Sequence, residues 1–208
     1  MKLLHGSMTK SNDNANYPRN VLVIDWKSTD FNSVYFGNDK RFKDKAGYTD
    51  YKTRETGQRK DVDDLVERFN LKGKRVLDVG CSYGFKVKRL NELDVKAFGI
   101  DFSDFALSQV DKNIRPYIYN EDPIETLSFS YNQFDLVISS GFLCCIPEGK
   151  EETVVKELNR VAKKQYHIVD TKVRPEYYNV KPVEYWSSLA WDKGTILAND
   201  SNKKEVII

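Results

Sequence analysis

From Asp61 onward the chain is regularly patterned. Val62, Leu65, Val66 and Phe69 recur at i, i+3, i+4 and i+7, the spacing of one helical face. The apolar run Val76, Leu77, Val79 follows and stops at Gly80, as expected of a short buried parallel strand. Val87 and Leu90 return to helical spacing. Val95–Ile100 reads as a second strand, and Phe105, Leu107 and Val110 as a second helix with Ser103 as its N-cap. Tyr117–Tyr119 and Phe134–Ser139 read as the third and fourth strands. Val154, Val155, Leu158 and Val161 predict a helix over Glu151–Lys163, and Tyr166–Val169 a fifth strand. Val183–Trp191 suits a short helix. Thr195–Ala198 and Glu205–Ile208 suit an antiparallel hairpin across Asn199–Lys204. Strands alternating with helices imply an α/β fold, a mostly parallel sheet covered on both faces.

The first sixty residues lack this regularity. Residues 1–20 are dominated by Asn, Ser, Lys and Asp and read as a flexible segment. Val21–Trp26 is a short apolar run, either a strand or a packed arm. Phe31, Tyr35, Phe36, Phe42, Tyr48 and Tyr51 follow with no clean period, which predicts an irregular, partly helical cap over residues 30–55. The division expected is therefore 1–20 flexible, 21–60 arm or lid, and 61–208 a single regular domain.

Composition narrows the partners. A net charge of +2 over 208 residues gives no strong pull toward nucleic acid. Residues 40–60 hold eight Lys and Arg, while residues 101–135 lean acidic. The basic stretch reads first as a solvated surface and second as a contact for an anionic substrate. The cysteines, Cys81, Cys144 and Cys145, form no disulfide framework and no zinc spacing, which suits a reducing, cytoplasmic setting. No apolar run approaches the ~18 residues needed to span a membrane. Met1-Lys-Leu-Leu is too short for a signal peptide. His5-Gly-Ser-Met8 reads as a cloning remnant, with the natural start at or near Met8.

The first strand carries the candidate chemistry. Gly80-Cys-Ser-Tyr-Gly84 joins it to a helix, and glycines there let a ligand approach the backbone. Asp78 sits inside the apolar strand, where a carboxylate is costly unless it meets a cation or donors. That suits a ligand with an amino group better than one with a phosphate. Asp101 closes the second strand 21 residues after Gly80, near the ~20-residue gap from a glycine turn to a ribose-binding acid. The middle glycine of a dinucleotide fingerprint is missing. Gly73-Lys74-Arg75 and Gly149-Lys150-Glu151 are not phosphate loops.

Val76-Leu-Asp78-Val-Gly80-Cys-Ser-Tyr-Gly84 followed by Gly99-Ile-Asp101-Phe-Ser103 resembles the first two motifs of class I S-adenosylmethionine-dependent methyltransferases. Glu121-Asp122 after the third strand and Phe134-Asp-Leu-Val-Ile138 continue the likeness, which covers roughly residues 60–170. The resemblance implies a Rossmann-like doubly wound sheet and S-adenosyl-L-methionine as cofactor. It implies that Asp78 receives the donor's amino group. Gly80, Cys81 and Gly84 would shape the turn around its methionine part, and Asp101 would hold the ribose hydroxyls. Phe102 would pack on the adenine. Glu121 and Asp122 compete for the adenine amino group; Pro123 has no N–H to add beside Asp122. Ser139, with Ser140 and Gly141, would border the transferred methyl. Tyr35-Phe36 and Gly47-Tyr48-Thr-Asp50-Tyr51 resemble an aromatic lid of a bacterial branch of the family. Tyr48 and Tyr51 would then contact the sulfonium, and Arg54 the donor carboxylate or an anionic acceptor.

The acceptor is less well marked. Amino-methylating enzymes of this type carry Asn/Asp-Pro-Pro-aromatic after the fourth strand, where this chain has Ser139-Ser-Gly-Phe142. Leu143-Cys144-Cys145 replaces the Leu-Glu-His-like triplet of many small-molecule enzymes. Methyl transfer from a sulfonium is an in-line displacement in which positioning supplies much of the rate, and a base is optional. His167, Asp170 and Tyr48 are the candidates for one, though a histidine within a strand reads first as core packing. A small-molecule or sugar-like acceptor leads. A tRNA or DNA acceptor and a donor-binding protein without catalysis are the alternatives.

Overall fold

The computed structural model describes residues 27–37, 51–172, 179–192, 194–199 and 204–208. Tyr48, Phe42, the Val21–Trp26 run, residues 1–20 and residues 40–50 of the basic stretch lie outside them.

A seven-stranded sheet organises the chain, in the order β3-β2-β1-β4-β5-β6-β7. Its strands are β1 (Arg75–Val79), β2 (Lys96–Asp101), β3 (Ile118–Asn120), β4 (Leu136–Ser140), β5 (Gln165–Val169), β6 (Thr195–Asn199) and β7 (Glu205–Ile207). All neighbouring pairs are parallel except β6 and β7. Strand order reverses between β1 and β4, which places the crevice for a ligand beyond their carboxyl ends. The Rossmann-like, doubly wound α/β fold is therefore as the sequence predicts, including the terminal antiparallel pair.

Helices cover both faces. On one side α1 (Arg54–Phe69), α2 (Phe85–Glu92) and α3 (Asp104–Ser108) bury Val62, Leu65, Val87, Leu90 and Leu107 against Val76, Ala97, Ile138 and Tyr166. On the other, α4 (Glu151–Val161) and α5 (Val183–Ser187) bury Val154, Leu158 and Trp186 against Leu77, Val79, Val137 and Val169.

Of the boundaries that differ from expectation, two have a clear cause. The first helix begins at Arg54, seven residues before Asp61, and runs across position 60 unbroken. Its first turns bury nothing; ion pairs to α2 hold them instead, Glu55 with Lys88 at 2.9 Å and Arg59 with Glu92 at 2.8 Å. The fourth strand starts at Leu136, because Phe134 makes only a single bridge, to Ala162.

Candidate active site

The turn after β1 is built to wrap the end of β2. Gly80 and Cys81 donate their N–H groups to Ile100 O at 2.9 and 3.0 Å. Gly80 has φ +70°, and a Cβ there would lie 2.9 Å from Phe142 Cδ2, so the position has no room for a side chain. Ser82 follows at φ +52° and donates its N–H to Asp101 Oδ2 at 2.8 Å. Ser103 donates its N–H to Asp101 Oδ1 at 2.9 Å and caps α3 by accepting from Ala106 N. Asp101 is thereby fixed at the crevice. Burial, and secondarily the nearby charge of Asp78, raise its pKa to about 6, against the pull of those N–H donors.

Strand alternation decides which groups reach the crevice. Residues i and i+2 share a face. Asp78 follows Val76, Ser140 follows Leu136 and Ile138, and Asp170 follows Tyr166 and Ile168, all on the α1–α2 side. Asp78 is 2 % exposed, and its Oδ1 finds no hydrogen-bond donor among the described residues. Lys86 Nζ, on α2, stands 3.9 Å from it. Burial raises the Asp78 pKa, with Lys86 opposing.

The aromatic segment packs over this crevice. Phe31, Tyr35, Phe36 and Tyr51 cluster with Tyr83, which is buried in the turn itself. Phe36 and Tyr51 each lie about 5 Å from the Tyr83 ring, at 5.2 and 4.9 Å between centroids. Ser103 Oγ donates to Phe31 O, fixing the segment to the β2–α3 corner, and Tyr51 N donates to Phe36 O within the segment. Tyr51 receives Gln58 Nε2 at 3.4 Å; burial raises its pKa, and Asp78 and Asp101 add to the effect.

Three cavities meet at Ser140. The first, about 70 Å³, lies between the aromatic segment and Asp101, Phe102, Glu121, Gly141 and Phe142. The second, about 30 Å³, reaches Asp78, Cys81 and Lys86. The third, about 500 Å³, runs from Ser140 and Gly141 between α1 and the face of β5. Arg54, Gln58 and Lys86 line both the second and the third.

The structure thus gathers Asp78, Gly80, Cys81, Asp101, Phe102, Glu121, Tyr51 and Arg54 around connected cavities, and sets Asp170 in the wall of the largest. It does not bring the other expected residues there. Ser139 points to the opposite face, 1 % exposed, with its Oγ 2.8 Å from His167 Nδ1; Ser140 takes its place. His167 is fully buried, its Nε2 3.0 Å from Gln165 Oε1 and its ring on Trp191. Since Gln165 Oε1 only accepts, Nε2 carries the proton and Nδ1 accepts from Ser139. Burial pushes its pKa down to about 3, so it is a neutral core histidine. Asp122 accepts from Ile124 N within its own turn, whereas Glu121 lines the cavity and is braced by Ser128 N. Gly84, φ +75°, packs against Ile114 and opens α2. Tyr48 lies outside the described residues. Lys86, Tyr83 and Phe142 are site residues that sequence reasoning missed. A lysine two residues past Gly84, at the start of a helix facing a buried acid, was the available signal for the first.

Residues 76–165 match the family model of a methyltransferase domain. No curated protein matches the chain. Among solved structures, a Methanococcus maripaludis protein provisionally named an S-adenosyl-L-methionine-dependent methyltransferase is similar over 90 % of this chain and 68 % of its own, with 15 % identity and a TM-score of 0.51. A S-adenosylmethionine-dependent methyltransferase from Aquifex aeolicus is 22 % identical over 50 % of this chain, TM-score 0.42. Another, from Methanosarcina mazei, is 22 % identical over 48 %, TM-score 0.44. The chain spans 58 % and 52 % of the length of these last two.

Proposed function

We propose that this chain, whose residues 76–165 match the family model of a methyltransferase domain, is a class I, S-adenosylmethionine-dependent enzyme that methylates a small, polar, sugar-like acceptor. The observation that carries the reading is Asp78 Oδ1: a buried carboxylate oxygen, without a hydrogen-bond donor among the described residues, facing a cavity at the strand-order reversal. A ligand ammonium fits it as a phosphate does not. The ring-lined cavity beside Asp101, which shares Tyr51, Gly80 and Ser140 with the cavity of Asp78, fits the rest of the same donor.

S-adenosylmethionine supplies, when bound, a methyl group already activated on a sulfonium. The chain's work is then positioning and exclusion of water. Asp101 holds the two ribose hydroxyls, Phe102 covers the adenine, and Glu121 takes its amino group. Asp78 receives the ammonium, while Lys86 and Arg54 face the carboxylate. Among the described residues, Phe31, Tyr35, Phe36 and Tyr51 act as a lid over the crevice. The acceptor enters the largest cavity, where Asp170 is the group placed to take its proton. His167 does not serve as that base: it is neutral and faces away. The carboxylates of Asp61, Asp64 and Asp170 in that cavity speak against a phosphodiester acceptor. The test is transfer of label from methyl-tritiated S-adenosylmethionine to a pool of small polar metabolites, lost in Asp78→Ala. Label that persists in that variant, or none with the wild type, would refute the proposal.

A further inference from the structure

Ser82 departs from its neighbours in the turn after β1. Gly80 and Gly84 take positive φ as glycines do, but Ser82 stands between them at φ +52° with a side chain. The other non-glycine residues of positive φ among those described are Asn70, Asp94 and Asn132, the types that tolerate this backbone best. A serine there is strained, and such strain persists only where the surroundings hold it. Two backbone N–H groups hold it here: Ser82 donates to Asp101 Oδ2 at 2.8 Å, and Gly84 to Cys81 O at 2.9 Å. A glycine at position 82 would keep both bonds without the strain.

The hydroxyl is what a glycine would lack. Ser82 is 5 % exposed, and its Oγ meets no hydrogen-bond partner of ordinary geometry among the described residues. A buried hydroxyl left so is costly. Ser82 lines the cavity of about 70 Å³ with Tyr51, Asp101, Phe102 and Glu121, whereas Cys81 lines the one beside Asp78 and Lys86. The hydroxyl therefore belongs to the nucleoside side of the crevice and not to the ammonium side. Tyr51 is its neighbour there: burial raises the Tyr51 pKa, and the Ser82 hydroxyl pulls against that rise. Ionised Asp101 offers only acceptors, so a ribose hydroxyl bound to it gives up its proton and keeps an oxygen able to accept. On the Oδ2 side, where Ser82 N already bonds, that oxygen comes beside Ser82.

We infer that Ser82 Oγ donates a hydrogen bond to the ribose hydroxyl on the Oδ2 side of Asp101, and is a binding residue that reads the donor's sugar. The inference rests on the methyltransferase reading above. Asp101, the ribose hydroxyl and Ser82 then satisfy one another. A deoxynucleoside lacking that hydroxyl leaves Ser82 without a partner, as in the free protein.

The test is calorimetric titration of the wild type, Ser82→Ala and Ser82→Gly with S-adenosylhomocysteine and with its 2′-deoxy and 3′-deoxy forms. It is run at pH 7.5, above the Asp101 pKa of about 6. Ser82→Gly frees the strained backbone and keeps the test open should the alanine variant fold poorly. Both variants should bind S-adenosylhomocysteine roughly three- to tenfold more weakly, the worth of one hydrogen bond. That loss should vanish for one deoxy form and persist for the other. Unchanged affinity for S-adenosylhomocysteine in Ser82→Gly would overturn the inference. So would an equal loss for all three ligands, which would mean that Ser82 acts through the turn or through Tyr51. Failure of S-adenosylhomocysteine to bind the wild type would overturn the methyltransferase reading, and this inference with it.

Discussion

Lys86 Nζ stands 3.9 Å from Asp78 Oδ1, too far for a hydrogen bond, so a carboxylate 2 % exposed is balanced by charge alone. Such a group costs stability that only a bound cation returns. Asp78→Asn should therefore stabilise the free protein by on the order of 1 kcal/mol, read as a higher melting temperature, while weakening S-adenosylhomocysteine binding about tenfold or more. Thermal melts with and without the ligand check both halves. A variant less stable than the wild type, or one still shifted as far by the ligand, contradicts the assignment.

Asp101 makes donor binding depend on pH. Its pKa in the free protein is raised to about 6, and ribose hydroxyls need the ionised carboxylate as acceptor. Affinity for S-adenosylhomocysteine should hold steady above pH 7 and fall as pH drops through 6, approaching about tenfold per unit. Titrations at pH 7.5, 6 and 5 measure it; flat affinity across that range would exclude the role.

His167 sets a different pH dependence, in folding. Its folded pKa, near 3, lies below the ~6.5 of the unfolded chain. The stability it confers is present above pH 6.5 and lost as pH falls toward 3. By pH 5 the unfolded chain gains about 2 kcal/mol from protonating this histidine. The raised carboxylates Asp78 and Asp101 act oppositely, because the folded state binds their protons more tightly. Comparison with His167→Gln isolates the histidine. The stability difference between the two proteins in urea should shrink by about 2 kcal/mol between pH 7 and pH 5. A constant difference would show that His167 is solvated.

Gly80→Ala should fail on two grounds, a positive φ and a Cβ 2.9 Å from Phe142 Cδ2. Denaturant melts should show a loss of roughly 1–3 kcal/mol, and S-adenosylhomocysteine binding should weaken as Phe142 is pushed toward the crevice. Wild-type stability in this variant would mean that the turn is slack.

What the sequence revealed follows from where local chemistry dominates. The β1–turn–β2 unit was legible because an apolar strand broken by Gly80 and a second strand ending in Asp101, 21 residues on, leave their own pattern and spacing in the chain. The start of α1 was hidden because residues 54–60 bury almost nothing and lean on α2, so no apolar period marks them. Ser139 and Ser140 could not be told apart without knowing which sheet face carries the crevice. Once Val76 and Ile138 are seen to face α1, alternation assigns Asp78 and Ser140 together and sends Ser139 to His167. Lys86 acquires meaning only from the 3.9 Å that folding puts between it and Asp78.

Calorimetric titration of the wild type and Asp101→Ala with S-adenosylmethionine and S-adenosylhomocysteine tests the central claim most directly. Wild-type dissociation constants within the ~1 μM–1 mM range of enzyme substrates, with binding lost in the variant, are expected. No heat with the wild type, or equal binding by both proteins, would contradict a donor site at Asp78 and Asp101.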